Sequence, residues 1–331
     1  MSRMIVMSVM LMILLCGCNI ENSSKEEINN EEIISDDGFE VMEGMQYLYD
    51  FADEMNGYCI VVNGNEKRGE GIAPKAIQLG DENELKIVIE SVVKNTDTRK
   101  MALQILVDYI QVPFVVDGKM YDTYYIEAED NFSLTKQIQL AADLDRTVDH
   151  KIVIMLINDL QVHAADSKIP ILASASASNQ LLVCDEEKNE LIRPDQEYEA
   201  VIDQYEEEFF GIFLTQDANG DKKEIPQRIV YAKPGQTVKV YYHLGGFTDS
   251  SEVLVFLNVG ETQTKINGKD FLLFQTQSPT QILYGEFELT APLEEGQYEV
   301  SAWAVSNPYG EISEIIQAVI GSPRFTLSVK E

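Results

Sequence analysis

The sequence predicts a mainly β protein, with two antiparallel β-sandwich-like domains following a flexible acidic tether. Three observations carry that expectation. Short runs rich in Val, Ile, Phe and Tyr recur along the chain, with Gly, Pro and Asn between them, which is the rhythm of strands and turns. The acidic stretch 186–208 divides these runs into two groups of ordinary domain size. The alternation of strands with helical patterns that marks a doubly wound sheet is missing.

At the amino terminus, Arg3 is the only charge before Glu21, and Met4 to Leu15 is apolar apart from Ser8. That run is shorter than the roughly 20 apolar residues a spanning helix needs, so it reads as a signal sequence. It ends in Leu15-Cys16-Gly17-Cys18. These four residues resemble the lipobox of bacterial lipoproteins, which sets small residues before a cysteine. Cys16 stands where Ser or Ala is more usual. The resemblance covers residues 1–18. It implies that residues 1–17 are removed and that Cys18 takes the lipid and becomes the first residue. Two acyl chains anchor durably where one binds only marginally. The expected address is the extracytoplasmic face of a cell membrane, reached through lipid on Cys18. An ordinary signal peptide cut nearby and an uncleaved anchor are the alternatives.

Residues 18–54 come next, with few apolar side chains and many acids before Phe39. That composition makes a flexible spacer. Val41, Met45, Leu48 and Phe51 have the spacing of one short helix.

The first β-rich domain is expected over 55–185. Leu85, Ile87 and Ile89 share one face of a strand, with Lys86 and Glu90 opposite. Met101 to Val116 alternates in places, and Pro113 opposes a continuous strand there. Tyr121 to Ile126, Phe132 to Leu140, Lys151 to Ile157 and Ile169 to Val183 supply further strands. After the acidic linker 186–208, the second domain, 209–331, shows a run at Phe209 to Leu214, then strands near Arg228, Thr237, Val253, Phe271, Ile282, Gly296 and Arg324. Short strands at this spacing argue for a sandwich. The run APLEEGQYEVSAWAVSNPYG, Ala291 to Gly310, resembles the late hairpin region of bacterial immunoglobulin-like or fibronectin-like surface modules. That resemblance implies a superfold and no single activity.

The chain carries 56 acidic and 25 basic residues, a formal charge of -31. Loss of residues 1–17 removes only Arg3. Such a balance opposes nucleic-acid binding, which needs clustered Lys and Arg. It also opposes lying flat on anionic lipid. Cys59 and Cys184 remain after processing, each in an apolar run. They read either as a disulfide or as two buried thiols.

One constellation has metal-ligand spacing. Asp217, Asn219 and Asp221 match the opening of a calcium loop, and Glu224 is within reach of the same ion. The sixth position is Lys222 instead of Gly, and the twelfth is Arg228 instead of Glu. A polar hairpin turn on Asn219-Gly220 is the competing reading. His150, His163 and His243 are the only histidines and are expected at surfaces or edges. Ser174, Ser176 and Ser178 would share one face of a strand, with alanines on the other. Of the pairs Tyr124-Tyr125 and Tyr241-Tyr242, one member each is expected inside. Tyr309, beside Pro308, is the expected exposed aromatic contact, and Trp303 is a further candidate for a ligand surface.

No GxSxG elbow or phosphate loop occurs. The expected role is a membrane-anchored module that binds a protein, a glycan or an envelope component. The alternatives are a structural spacer in an envelope assembly and a hydrolase with an unrecognised carboxylate pair. A binding module should show an exposed aromatic or acidic patch, and a spacer should show no pocket and a rigid interdomain contact.

Overall fold

The computed structural model describes residues 57–62, 76–79, 83–92, 99–128, 132–167, 173, 175–183, 191, 193–194, 196–199, 202–205, 211–216, 228–247, 252–276, 281–310 and 319–331. The protein is mainly β and forms two antiparallel sandwiches. The first contains β1 (Gly57–Val62), β2 (Ala76–Gln78), β3 (Glu84–Val92), β4 (Arg99–Val107), β5 (Ile110–Gln111), β6 (Phe114–Val116), β7 (Lys119–Tyr121), β8 (Tyr124–Ala128), β9 (Phe132–Leu140), β10 (His150–Ile157) and β11 (Ala175–Val183). The second contains β12 (Ile202–Tyr205), β13 (Gly211–Thr215), β14 (Ile229–Ala232), β15 (Thr237–Gly245), β16 (Glu252–Val259), β17 (Thr262–Thr264), β18 (Leu272–Gln275), β19 (Gln281–Thr290), β20 (Gly296–Ser306), β21 (Val319–Gly321) and β22 (Phe325–Val329).

Four sheets result. Sheet I runs β1-β3-β9-β6-β7, and sheet II runs β2-β11-β10-β4-β5, with β8 also on β4. Sheet III runs β14-β22-β20-β16-β17, with β18 on β16 and β21 on β20, and sheet IV runs β12-β19-β15-β13. The two sandwiches share a plan almost strand for strand. The antiparallel pairs β3–β9, β4–β10 and β10–β11 correspond to β15–β19, β16–β20 and β20–β22. Each sandwich also has one parallel edge, β2 on β11 and β14 on β22. Each has one interrupted edge, β5 with β8 on β4 and β17 with β18 on β16.

Three cores stack these sheets into four layers. Ile87 and Ile89 of sheet I pack with Ile105, Ile152 and Ile154 of sheet II. Val240, Tyr242 and Phe287 of sheet IV pack with Val255, Ala302 and Leu327 of sheet III. The third core joins the sandwiches: Ala102, Leu106, Val153 and Met155 of sheet II meet Leu254, Phe256, Trp303 and Val305 of sheet III. Burying a large aliphatic or aromatic side chain contributes about 1.5–3 kcal/mol, so this seam is as much a core as the other two.

The layering explains the strand patterns. Every residue of β10 is buried, because Ile152, Ile154 and Leu156 face sheet I while Val153, Met155 and Ile157 face sheet III. A strand covered on both sides reads as an unbroken apolar run. β15 lies in an outer layer and alternates, with Val238 and Val240 inside and Lys239 outside. Pro113 stands between β5 and β6, where the chain leaves sheet II for sheet I. Proline lacks an N–H for the ladder, and its carbonyl accepts from the Ala141 N–H at 2.9 Å.

Two sequence expectations change here. β12 falls inside the stretch read as the linker 186–208, yet Ile202 to Tyr205 pairs with Tyr284 to Gln281 at the edge of sheet IV. Residues before it are also fastened: the Glu199 N–H donates to the Leu273 carbonyl at 2.8 Å, and Glu199 pairs with Lys269 at 2.5 Å. The Ala291 to Gly310 run is a crossing from sheet IV to sheet III, since β19 pairs with β15 while β20 pairs with β16 and β22. At that crossing the Tyr298 hydroxyl donates to the Glu294 carbonyl at 3.0 Å. This is the tyrosine-corner arrangement of immunoglobulin-like sandwiches.

Candidate functional site

Two features stand out, a seam between the sandwiches and a groove beside it. The seam is built around the turn between β4 and β5. Val107 pairs with Ile110 across a two-residue loop, Asp108-Tyr109, with φ of +49° and +65°. Such loops favour Asn-Gly or Asp-Gly because both residues need positive φ. A tyrosine there is an outlier. Three contacts with Asp108 hold the turn. The Asp108 N–H donates to the Lys151 carbonyl at 2.7 Å. Its carboxylate accepts from the Lys151 N–H at 2.9 Å and lies 2.6 Å from His150 Nδ1. That hydrogen bond is the main cause of the raised His150 pKa.

Held this way, Tyr109 is fully buried and enters the second sandwich. Its hydroxyl donates to the Pro308 carbonyl, and its ring meets Tyr309 edge-on at 5.6 Å and Phe271 at 6.3 Å. Arg193 closes this end, lying 5.7 Å over the rings of Tyr198 and Tyr309 and pairing with Glu252. Lys151 is also buried here, and its ammonium donates to the Gly310 carbonyl at 3.1 Å. Burial pulls the Lys151 pKa down to about 8, because the charged form loses its water.

Along the seam, Gln111 and Gln263 bond to each other reciprocally. The Gln111 N–H donates to Gln263 Oε1 at 2.6 Å, and the Gln263 N–H donates to Gln111 Oε1 at 2.7 Å. Their amides reach equivalent carbonyls, Asp122 at 2.8 Å and Asp270 at 3.0 Å, just before β8 and β18. Gln104 and Asn258, both fully buried, bridge the same layers at 3.0 Å. At the far end, Ala164 N–H donates to Glu299 at 3.1 Å and Thr326 donates to the same carboxylate at 2.6 Å.

The groove lies at the end of the second sandwich, between the β16–β17 hairpin and the β19–β20 crossing. Its volume is about 360 Å³ and it is broadly open. Val259, Pro292, Leu293 and Tyr298 supply apolar surface, while Thr262, Thr264 and Thr290 supply hydroxyls. Leu293 is 81% exposed. Glu294 is the charged residue of the lining.

Lys151 and the Asp108-Tyr109 turn are not among the residues the sequence singles out. A charged residue opening an apolar strand, and an Asp-Tyr pair between two apolar runs, were the signals present. The expected site residues sort as follows. Cys18, Asp217, Asn219, Asp221, Glu224 and Cys184 lie outside the described residues, as do the signal peptide and tether. Ala175 and Ala177 pack into the seam core, as the expected alanine face of that strand. Tyr124 packs inward and Tyr125 is 62% exposed, while Tyr242 is buried. Tyr309 is not the exposed contact the sequence suggested: its ring packs on Tyr109, and burial raises its pKa above the ordinary tyrosine value. Trp303 is buried in the seam, so it lines no ligand surface. His150 is buried against Asp108 instead of standing at a surface. His163 is part-exposed and lies 3.6 Å from Glu299, and His243 stacks on Tyr284 at 6.1 Å. Among the described residues, no three of His, Cys, Asp and Glu are grouped to hold a metal, and no helix is long and apolar enough to cross a membrane.

No family model and no curated protein matches the chain. Solved structures match weakly. The C-terminal domain of the Streptococcus pyogenes antigen I/II-family protein AspA is 10% identical, with a TM-score of 0.21, over 82% of this chain and 98% of that one. The YadV chaperone is 9% identical, also with a TM-score of 0.21, over 81% and 99%. The calcium-binding domain CBD12 of CALX1.1 is 10% identical, with a TM-score of 0.20, over 71% and 80%. Likenesses at this level assign neither a family nor an activity.

Proposed function

We propose that this chain is a lipid-anchored binding module on the extracytoplasmic face of a cell membrane, presenting two fused sandwiches as one rigid recognition body. The anchor rests on Leu15-Cys16-Gly17-Cys18 and the apolar run before it. The acid-rich residues that follow fit a spacer between lipid and body. The observation that carries the binding reading is the form of the surface beside the seam. The groove there is shallow and open, with apolar, hydroxyl and acidic groups side by side. A small molecule is ordinarily enclosed, whereas an open groove of this kind suits a macromolecule. Exposed Tyr125 and Leu293 add apolar contact points.

The test has two parts. Cys18→Ser should move the protein from the membrane fraction to the soluble extracytoplasmic fraction and abolish labelling by radioactive palmitate. Gentle crosslinking of the native membrane should then recover a reproducible partner with the wild type. Recovery no better than with an unrelated lipoprotein counts against binding.

A second reading, a spacer or scaffold part in an envelope assembly, is favoured by the buried seam, which joins the sandwiches without a free hinge at Tyr109. It predicts that lengthening the tether restores function to a truncated body, which a recognition module would not allow.

A further inference from the structure

We infer that the groove between the β16–β17 hairpin and the β19–β20 crossing takes an extended basic segment of a partner protein. This deepens the binding reading and rests on it.

The chain's formal charge is -31. The lining of the groove holds one carboxylate, Glu294, and no lysine or arginine. Glu261 adjoins Thr262 at one side, its carboxylate accepting from the Tyr125 hydroxyl at 3.0 Å, and Glu295 adjoins Glu294 at the other, accepting from the Glu331 N–H at 3.0 Å. Of the cations near it, Lys265 pairs with Asp270 at 3.0 Å and Lys330 lies 4.5 Å over the Tyr231 ring, while Lys233 stands exposed in the turn behind Leu293. A cationic ligand therefore meets attraction here, and like-charge partners are repelled.

Shape and chemistry narrow the ligand further. Val259, Pro292 and the Tyr298 ring give the groove an apolar side, and Leu293 stands at its rim. The Tyr298 hydroxyl donates to the Glu294 carbonyl at 3.0 Å, which favours the ring's place beside the crossing. The crossing is itself held, since the Gly235 N–H donates to the Pro292 carbonyl at 3.2 Å and the Ala291 N–H donates to the Gln236 carbonyl at 2.8 Å. A fixed groove loses little entropy on binding. Thr262, Thr264 and Thr290 each offer a donor and acceptors, which suits the alternating N–H and C=O groups of an extended backbone. Apolar side chains of that segment would rest on Leu293 and Tyr298 while a lysine or arginine faces Glu294. A saccharide would use the hydroxyls and the ring and could donate to Glu294, but being neutral it gains no ion pair there.

The test uses the full-length chain in neutral detergent and a fluorescent peptide of alternating Lys and Val. An alternating Glu and Val peptide and a neutral N-acetylglucosamine hexasaccharide serve as comparisons. The basic peptide should bind, more weakly as salt rises. Leu293→Ser and Glu294→Lys, both at exposed positions, should each weaken it by about tenfold or more. Met120→Ser, on the other sandwich, should leave it unchanged. Equal binding by wild type and both variants would overturn the groove as the site and point to general charge attraction. Binding of the hexasaccharide, lost in Leu293→Ser, with no peptide binding would overturn the partner class. If crosslinking still recovers a partner from the membrane with both variants, the inference is wrong while the binding reading stands.

Discussion

Gln111 and Gln263 each close the other's sheet edge: the backbone N–H of one donates to the side-chain carbonyl of the other, at 2.6 and 2.7 Å. Both lie on short edge strands, β5 and β17, at corresponding places in two sandwiches of the same plan. An edge strand offers unpaired backbone groups that can recruit another chain. Here those groups are satisfied within the molecule. The reciprocity gives the seam a local twofold character, as in an isologous dimer interface.

Gln111→Ala should therefore remove one partner of the Gln263 N–H while leaving the donor half-buried, and Gln263→Ala should do the converse. Each is expected to cost about 1–3 kcal/mol, the price of an unsatisfied buried group. The double variant should cost less than the two added, because the sites share one network. Urea unfolding of all four proteins checks this; simple additivity would mean the two bonds are independent.

Lys151→Met should stabilise the protein near pH 7. The buried amine has a pKa of about 8 against 10.5 when free, so folding favours its neutral form. The sign follows: the cost of burying the charge is constant below pH 8 and disappears as pH rises to 10.5. Wild-type stability relative to the variant should therefore climb across that window, by a few kcal/mol on the order of 1.4 per pKa unit. The Gly310 carbonyl loses its ammonium donor in the variant, which reduces the gain. Thermal unfolding of both proteins at pH 7, 9 and 10.5 measures the difference, and a pH-independent gap would show that Lys151 is solvated.

Tyr109→Ala should uncouple the sandwiches. It relieves little of the positive-φ strain, since alanine also has a Cβ, and it empties the place between Tyr309 and Phe271. Large-to-small changes of this kind cost about 3–5 kcal/mol. The wild type should unfold in one calorimetric transition and the variant in two. Tyr109→Phe, which loses only the hydrogen bond to Pro308, should stay close to a single transition.

Gly321→Ala tests the other end of the seam. A Cβ on Gly321 would collide with the Ala173 carbonyl of the first sandwich and the Trp303 ring 2.8 Å away. The Ala173 N–H also donates to the Ser322 carbonyl at 2.8 Å, so the backbone there has little room to retreat. Overpacking typically costs about 1–3 kcal/mol. Hydrogen exchange should quicken at β20 and β10 together; a change confined to β21 would mean that the seam adjusts locally.

Much of the fold was legible because strand periodicity depends on burial. β15 and β19 cover the outside of the molecule, and their alternation is plain in Val238-Lys239-Val240 and Glu286-Phe287-Glu288-Leu289. β10 and β16 lack alternation, and the reason was also in the sequence: an unbroken apolar strand has no wet face. What covers that second face is a different question. Periodicity reports that a residue is buried and carries no information about its partner, so Val153 and Phe256 do not announce that they meet. Tyr309 misled for the same reason, because a tyrosine beside a proline looks like a surface turn until Tyr109 arrives from almost 200 residues away.

The sequence by itself determined most of the longer strands, the sandwich class and the expectation of an anchor at Cys18, because these depend on local pattern and on short motifs. Only the tertiary structure decided that the two sandwiches share a core, that Gln111 and Gln263 close each other's edges, and that Lys151 is buried. Those outcomes depend on pairings between residues distant along the chain, and the free energy of such a pairing belongs to both partners at once.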